Sequence, residues 1–167
     1  MNLFVFSQTL GLKAVSLRYS NVYGPRQEAG VIPIFIRRML ADEEIHIFGD
    51  GEQTRDFIYA GDVARANILA TEHLLSARPG GTSIDDLAFN VSSGTAVSMN
   101  DLYARLAREA GYSLPAVHEG AKAGDIRDSV LSSAKAKRVL GFRPAVPLDE
   151  GLRATIEWFS ERIRSAR

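Results

Sequence analysis

The 167-residue chain contains no cysteine. That absence excludes disulfides, thiolate nucleophiles, iron–sulfur clusters and cysteine-type zinc sites. Net charge is lacking too: 20 Lys and Arg balance 20 Asp and Glu, which removes the electrostatic footprint that non-specific nucleic-acid binding requires. No apolar run is long enough to span a bilayer. The N-terminus, Met1 to Phe6, has neither the basic segment nor the long apolar stretch of a secretory signal. A cytoplasmic protein without nucleic-acid or membrane partners is therefore expected. There is no Gly-x-Ser-x-Gly elbow for a serine hydrolase. The histidines His46, His73 and His118 have no metal-ligand spacing, so no metal is expected. The composition that is present, 46% apolar and 24% charged, is ordinary for one folded domain of this length.

Periodicity divides the chain into alternating helices and strands. Met1 to Leu10 reads as the last turns of a helix stopped by Gly11, and it starts without an N-cap of its own. Ala14 to Tyr19 reads as a strand, and Asn21-Val-Tyr-Gly-Pro25 as turn chemistry. Pro33 opens a helix to Leu40; Ile45 to Phe48 and Asp56 to Tyr59 are short strands around the Gly49-Asp-Gly51 turn. Asp62 is placed as the N-cap of a helix over Val63 to Leu75, and Ser76 to Ser83 is a loop. Ala88 to Val91 is a buried-type strand. Ser98 with Asp101 approximates a capping box for a helix stopped at Gly111. A helix from Ser132 ends at Gly141, and Leu148, Leu152, Ile156, Phe159 and Ile163 mark a C-terminal amphipathic helix with Trp158 packed beside its stripe. Alternation of this kind predicts an α/β fold with parallel pairing.

Three stretches concentrate chemistry. In Gly49-Asp-Gly-Glu-Gln-Thr-Arg55 a glycine-rich turn lets backbone approach a ligand, and Arg55 offers a planar fork suited to a diphosphate. A surface turn with Arg55 paired to Asp50 or Asp56 explains the same residues. Asn21, just past a strand end, can bond a ligand outside the carboxyl edge of a sheet, or cap its own turn. Lys122-Ala-Gly-Asp125 could grip a phosphate and a sugar hydroxyl, or be a solvated loop.

Taken in order, Leu17 to Gln27, Gly30 to Phe35, Ile47 to Tyr59 with Asp62-Val-Ala64, Phe89 to Gly94, Gly124 to Arg127, Leu140-Gly-Phe-x-Pro144 and Leu148 to Leu152 resemble the extended short-chain dehydrogenase/reductase family of NAD-dependent nucleotide-sugar epimerases and dehydratases. The resemblance covers the C-terminal half of that family. It implies part of a Rossmann sheet plus a small α/β substrate-binding subdomain, with residues 1–167 forming a single nucleotide-sugar-binding portion. It implies that Asn21 and Arg55 bind the diphosphate of a UDP-sugar substrate. Gly30 and Val31 would lie along the sugar nucleotide, and His46, Ile47 and Phe48 would hold the uracil and ribose. Asp125 would take ribose hydroxyls, and Tyr19 and Ser20 would stand beside the nicotinamide of NAD. Two positions depart from the family: Ser20 stands where members often carry an aromatic, and Lys122 where they usually carry Arg.

The family also binds NAD through a Gly-x-x-Gly-x-x-Gly turn and works through a Tyr-x-x-x-Lys pair. This sequence has neither. The resemblance places Met1 just after that Tyr and Lys, so the NAD-binding half is expected to be absent and the fragment inactive alone. The strands at Ala14 and Ala88 would have lost sheet neighbours, leaving edges open to another chain. The partner expectation is a homo-oligomer or pairing with the missing half. The expected activity is 4-epimerisation: oxidation at C4, rotation of the keto-sugar and re-reduction. A decarboxylase, a 4,6-dehydratase and a non-catalytic sugar-nucleotide module are the alternatives.

Overall fold

The computed structural model describes residues 2–76 and 84–165. From Ala77 on, the stretch read as a loop to Ser83 lies outside the described residues. In chain order the elements are α1 (Asn2–Leu10), β1 (Ser16–Tyr19), β2 (Asn21–Tyr23), α2 (Val31–Leu40), β3 (His46–Phe48), β4 (Thr54–Arg55), β5 (Phe57–Tyr59) and α3 (Ala60–Ser76). After a 3-10 turn (Ile84–Leu87) come β6 (Ala88–Val91), β7 (Val97–Ser98), α4 (Met99–Ala110), β8 (Val117–Glu119), β9 (Asp128–Ser129), α5 (Ala134–Leu140) and α6 (Leu148–Ser165). Pairing is parallel for β1 with β6, β2 with β5, β3 with β8 and β4 with β9; only β4 with β7 is antiparallel among the described residues. The expected α/β architecture with parallel strands is what forms. No helix among the described residues is long and apolar enough to cross a membrane.

Local chemistry explains most element ends. The Ser98 side chain accepts a hydrogen bond from Asp101 N at 3.1 Å, closing the start of α4 as its capping pattern requires. Gly111 and Gly141 end α4 and α5 in the left-handed conformation that a Cβ would strain. Two expectations fail. Asn21, Val22 and Tyr23 form a strand rather than a turn, because Asn21 N and the sheet partner β5 supply backbone bonds that the tripeptide alone does not show. The turn starts only at Gly24. Asp62 is not an N-cap either: α3 begins at Ala60, and the buried Asp62 carboxylate reaches away to accept from Ala145 N and Val146 N at 3.1 Å. It also pairs with Arg65 at 3.0 Å.

The β2–β5 ladder separates two cores. Side chains alternate across a strand, so Tyr23 and Phe57 face a core built with α2, α4 and α6 around Phe35, Ile36, Leu106, Leu152 and Phe159. Val22 and Ile58 face a second core with α3, α5 and β6 around Ala66, Phe89, Leu140 and Phe142. Tyr23 is buried and donates to Leu148 O at 3.2 Å, and burial pushes its phenol well above the ordinary tyrosine range.

Asp56 sits between β4 and β5 with no exposed surface. Its carboxylate accepts from Ser93 N at 3.0 Å, Ser93 Oγ at 2.7 Å, Gly94 N at 3.1 Å and Leu131 N at 3.3 Å. Asp56→Ala would leave those donors buried and unpaired, a loss on the order of 3 kcal/mol or more. Denaturant unfolding measures it; a change under about 1 kcal/mol would contradict this role.

Gly151 lies where α6 crosses the ladder. A Cβ there would meet Tyr23 Oη at 2.2 Å and the Tyr59 ring at 2.9 Å. Helix propensity favours Ala over Gly by about 1 kcal/mol, but overpacking costs about 1–3 kcal/mol. The pinned Tyr23 ring cannot yield, so Gly151→Ala is expected to lower stability despite its better propensity. A raised thermal midpoint would show that α6 shifts instead.

Arg105 joins α4 to the start of α6, contacting Asp101 at 2.9 Å and Asp149 at 2.7 Å. Hydrogen bonding to Arg105 holds the Asp149 carboxyl below the usual carboxylate range, and Arg105 is raised in turn. A depressed folded pKa contributes stability above the unfolded value and loses it as pH falls through the folded one. Stability should therefore decline as pH drops below about 4, and Asp149→Asn should flatten that decline in a pH series of thermal melts.

Candidate functional site

Between the start of α2, strand β3 and the β4–β5 segment lies a cavity of about 350 Å³. Its polar wall is Asn21, Arg55, Gln53 and Asp125; its apolar wall is Val31, Ile34, Phe35, Phe57 and Met99; His46, Ile47, Phe48 and Gly30 complete it. A groove of about 540 Å³ between α2 and α6 is larger, but Leu40, Ile156, Ile163 and solvated charges line it and none of these polar groups converge there.

The Arg55 side chain is 19% exposed and fixed on three sides. Nη1 donates to Ile126 O at 2.6 Å and to Thr54 O at 2.7 Å, and Nη2 meets Asp125 Oδ1 at 2.5 Å. The pairing with Asp50 or Asp56 that the sequence allows does not occur. Asp50 instead meets Arg127 at 2.8 Å, which holds its carboxyl below the usual range, and Asp56 is committed to its buried donors. A cation oriented in this way loses little freedom on meeting an oxyanion.

Asn21 Nδ2 donates to Asp56 O at 3.0 Å, which turns the amide by a backbone anchor and leaves its second N–H for a ligand. This combines the two readings of Asn21: anchored to backbone, at a cavity wall. Gly30, the residue before α2, gives the helix no side-chain cap, so the first amides of α2 carry their partial positive charge at the cavity wall. Phe48 is 46% exposed, an aromatic ring on the face of β3 opposite the buried Ile47. His46 shares that face, with Nδ1 2.7 Å from Glu119 Oε1 on β8.

Eight of the expected substrate residues, Asn21, Gly30, Val31, His46, Ile47, Phe48, Arg55 and Asp125, thus line one cavity. Lys122 does not; it lines an adjoining space of about 280 Å³ that shares Phe48, Gln53 and Asp125 with the first. Tyr19 and Ser20 stand apart at the end of β1. Tyr19 donates to Asn67 Oδ1 at 3.1 Å, while Ser20 Oγ is shielded and without a hydrogen-bond partner. Sequence reading missed Gln53, Ile34, Phe35, Phe57 and Met99. For Ile34 a signal existed: it is the outward apolar residue of α2, 48% exposed beside Val31. Gln53, which donates to Phe48 O at 2.9 Å, had none. Among the described residues no group of three or more metal-ligating side chains gathers.

Known proteins resemble this chain over most of its length. A UDP-glucose 4-epimerase of Mycolicibacterium smegmatis is 37% identical over 147 residues, covering 86% of this chain and 44% of that protein. A crystal structure of UDP-glucose 4-epimerase with UDP-glucose from Thermotoga maritima superposes with a TM-score of 0.87 at 43% identity, over 98% of this chain and 51% of the other. A UDP-N-acetylglucosamine 4-epimerase from Methanobrevibacter ruminantium in complex with UDP-N-acetylmuramic acid gives 0.86 at 34% identity, over 96% and 50%. The chain spans about half the length of the curated relatives it matches. Residues 4–91, more than half of the chain, match the NAD-dependent epimerase/dehydratase family, and the protein belongs to it.

Proposed function

We propose that this chain forms the sugar-nucleotide-binding portion of an NAD-dependent nucleotide-sugar 4-epimerase that interconverts UDP-glucose and UDP-galactose. The observation that carries the reading is the polarity of the cavity: an oriented guanidinium, Arg55, with Asn21 and the uncapped start of α2 on one wall, and the Phe48 ring on another. A nucleoside diphosphate sugar has that same division, a charged centre joined to a flat base. Arg55 and Asn21 take the diphosphate, Val31 and Gly30 lie along the nucleotide, Phe48 meets the base face, and Asp125 bonds ribose hydroxyls beside Arg55. Lys122 approaches a phosphate from the adjoining space as a point charge, without the bidentate geometry of Arg. The UDP-sugars bound to the Thermotoga maritima and Methanobrevibacter ruminantium proteins support this class of ligand.

NAD supplies the hydride acceptor for such a reaction when bound. The shielded and unpartnered Ser20 Oγ at the end of β1 is the polar atom of this chain that fits beside it, with Tyr19 next to it. The chain's own residues bind and orient the sugar nucleotide; no tyrosine here is followed four residues later by lysine to remove the O4 proton. On this reading the 167 residues bind substrate and leave its C4 configuration unchanged. Calorimetric titration of the chain with UDP-glucose should show binding without NAD. Arg55→Ala should weaken it about 10- to 100-fold, the worth of a charge-assisted pair. Equal affinity for the two proteins would remove Arg55 from the site and the reading with it.

A further inference from the structure

The chain between β2 and α2 reaches the cavity wall with little burial to hold it. None of residues 25–30 is buried, and Arg26 stands at φ 70°, a left-handed backbone that a residue with a Cβ rarely adopts. A turn strained in this way persists only where its surroundings fix it. Among the described residues the segment has two ties. Gln27 N donates to Gly24 O at 3.2 Å, and Glu28 O accepts from Arg37 Nη1 at 2.9 Å. The Gln27 side chain adds no bond through its shielded Oε1, which is without a partner. Arg37 comes from the last turn of α2, and its guanidinium lies over the buried Phe159 ring, 5.1 Å from the centroid. One end of the tie is therefore set against α6, and the other is a backbone carbonyl just before Gly30.

We infer that Arg37 is a positioning residue for the sugar nucleotide: by holding Glu28 O it fixes the segment that delivers Gly30 and Val31 to the cavity wall. This rests on the nucleotide-sugar reading above. At the start of α2, residues 30–33 are the positions whose amides have no intrahelical acceptor, and Pro33 brings no N–H. Ile34 N is the first to close, on Gly30 O at 3.3 Å. Were α2 to begin one turn earlier, Glu28 O would be the acceptor for Ile32 N. Arg37 takes that carbonyl instead, and Gly30 at φ 107° turns the backbone out of the helical path. The amides at the wall thus keep their partial charge for an oxyanion, in a direction set before the ligand arrives. A segment already ordered loses less freedom when the ligand binds, so the tie acts on affinity and little on the fold. Arg37 does not itself line the cavity; it acts through the backbone it holds.

The test compares the 167-residue chain with Arg37→Met, which keeps an apolar stem against Phe159 but has no donor, and Arg37→Lys, which keeps one. Three quantities are read: the Kd for UDP-glucose by calorimetry, the thermal midpoint, and the rate at which trypsin cuts after the exposed Arg26, followed by mass spectrometry. Arg37→Met should weaken UDP-glucose about 3- to 10-fold and speed the Arg26 cut by a similar factor. Its midpoint should stay within about 3 °C of the unmodified chain. Arg37→Lys should recover most of both losses. A midpoint lowered beyond that range together with the affinity would mark a role in folding alone and overturn the inference. So would an Arg37→Met chain with unchanged affinity, an unchanged Arg26 cut, or an Arg37→Lys chain no better than Arg37→Met. In each of those cases a loss of binding in Arg55→Ala leaves the nucleotide-sugar reading standing. If the unmodified chain does not bind UDP-glucose, that reading falls, and the cutting rate still decides whether Arg37 holds the segment.

Discussion

The carboxylate of Asp56 is the constraint on which the site depends. It is wholly buried, yet it ends at four donors drawn from the turn after β6 and the segment before α5. Its backbone is equally committed: N donates to Ser129 O at 3.0 Å, and O accepts from Asn21 N at 2.9 Å and Asn21 Nδ2 at 3.0 Å. One residue therefore fixes β2, β4, β5, β6 and β9 relative to one another. A buried charge persists only where hydrogen bonds replace its hydration, and here the replacement comes from segments distant in sequence. Arg55 precedes Asp56, and in the strand geometry the two side chains leave on opposite sides. Satisfying Asp56 in the interior sends Arg55 outward into the cavity.

From that anchor the electrostatics of the cavity follow. Arg55 is not a free cation but one held by Asp125, Ile126 O and Thr54 O, with β9 beside it through Thr54 Oγ1 to Asp128 at 2.7 Å. The partner carboxylate lowers the net charge of the wall while orienting the guanidinium plane. Binding an anion to such a group draws on direction more than on net attraction. The second acid–base pair, His46 with Glu119, lies across the cavity on the β3–β8 ladder.

The two cores meet at the β2–β5 ladder, and α6 locks over it. Tyr23 and Tyr59 stack edge-on at 5.6 Å beneath Gly151, whose lack of a side chain permits the approach. Asp62, from α3, holds the segment leading into α6 by two backbone amides. Helices distant in sequence are thus brought to the back of the wall that carries Asn21 and Phe57, and the cavity gains its rigidity from behind. Rigid support of this kind is what keeps a binding geometry within the tolerance that recognition needs.

Local sequence determined the elements whose signals are local. Helix ends at Ser98, Gly111 and Gly141, the stripes of α2 and α6, and the β1 and β6 strands follow from capping chemistry and period. The family resemblance picked out residues such as Asn21, Arg55 and Asp125, which tertiary structure then gathered around one cavity. What the sequence could not disclose are pairings made across the fold. The two-residue strands β4, β7 and β9 are too short to show a period, and Asn21 to Tyr23 became a strand only through β5. Asp62 left the capping role its position suggests because Ala145 and Val146 offered better-placed amides. Arg55 found Asp125, seventy residues away, rather than its neighbour Asp56. Propensity and capping act within a few residues, so a sequence states them directly; the partner of a buried charge is whatever the folded chain brings within 3 Å or so, and only the tertiary structure decides that.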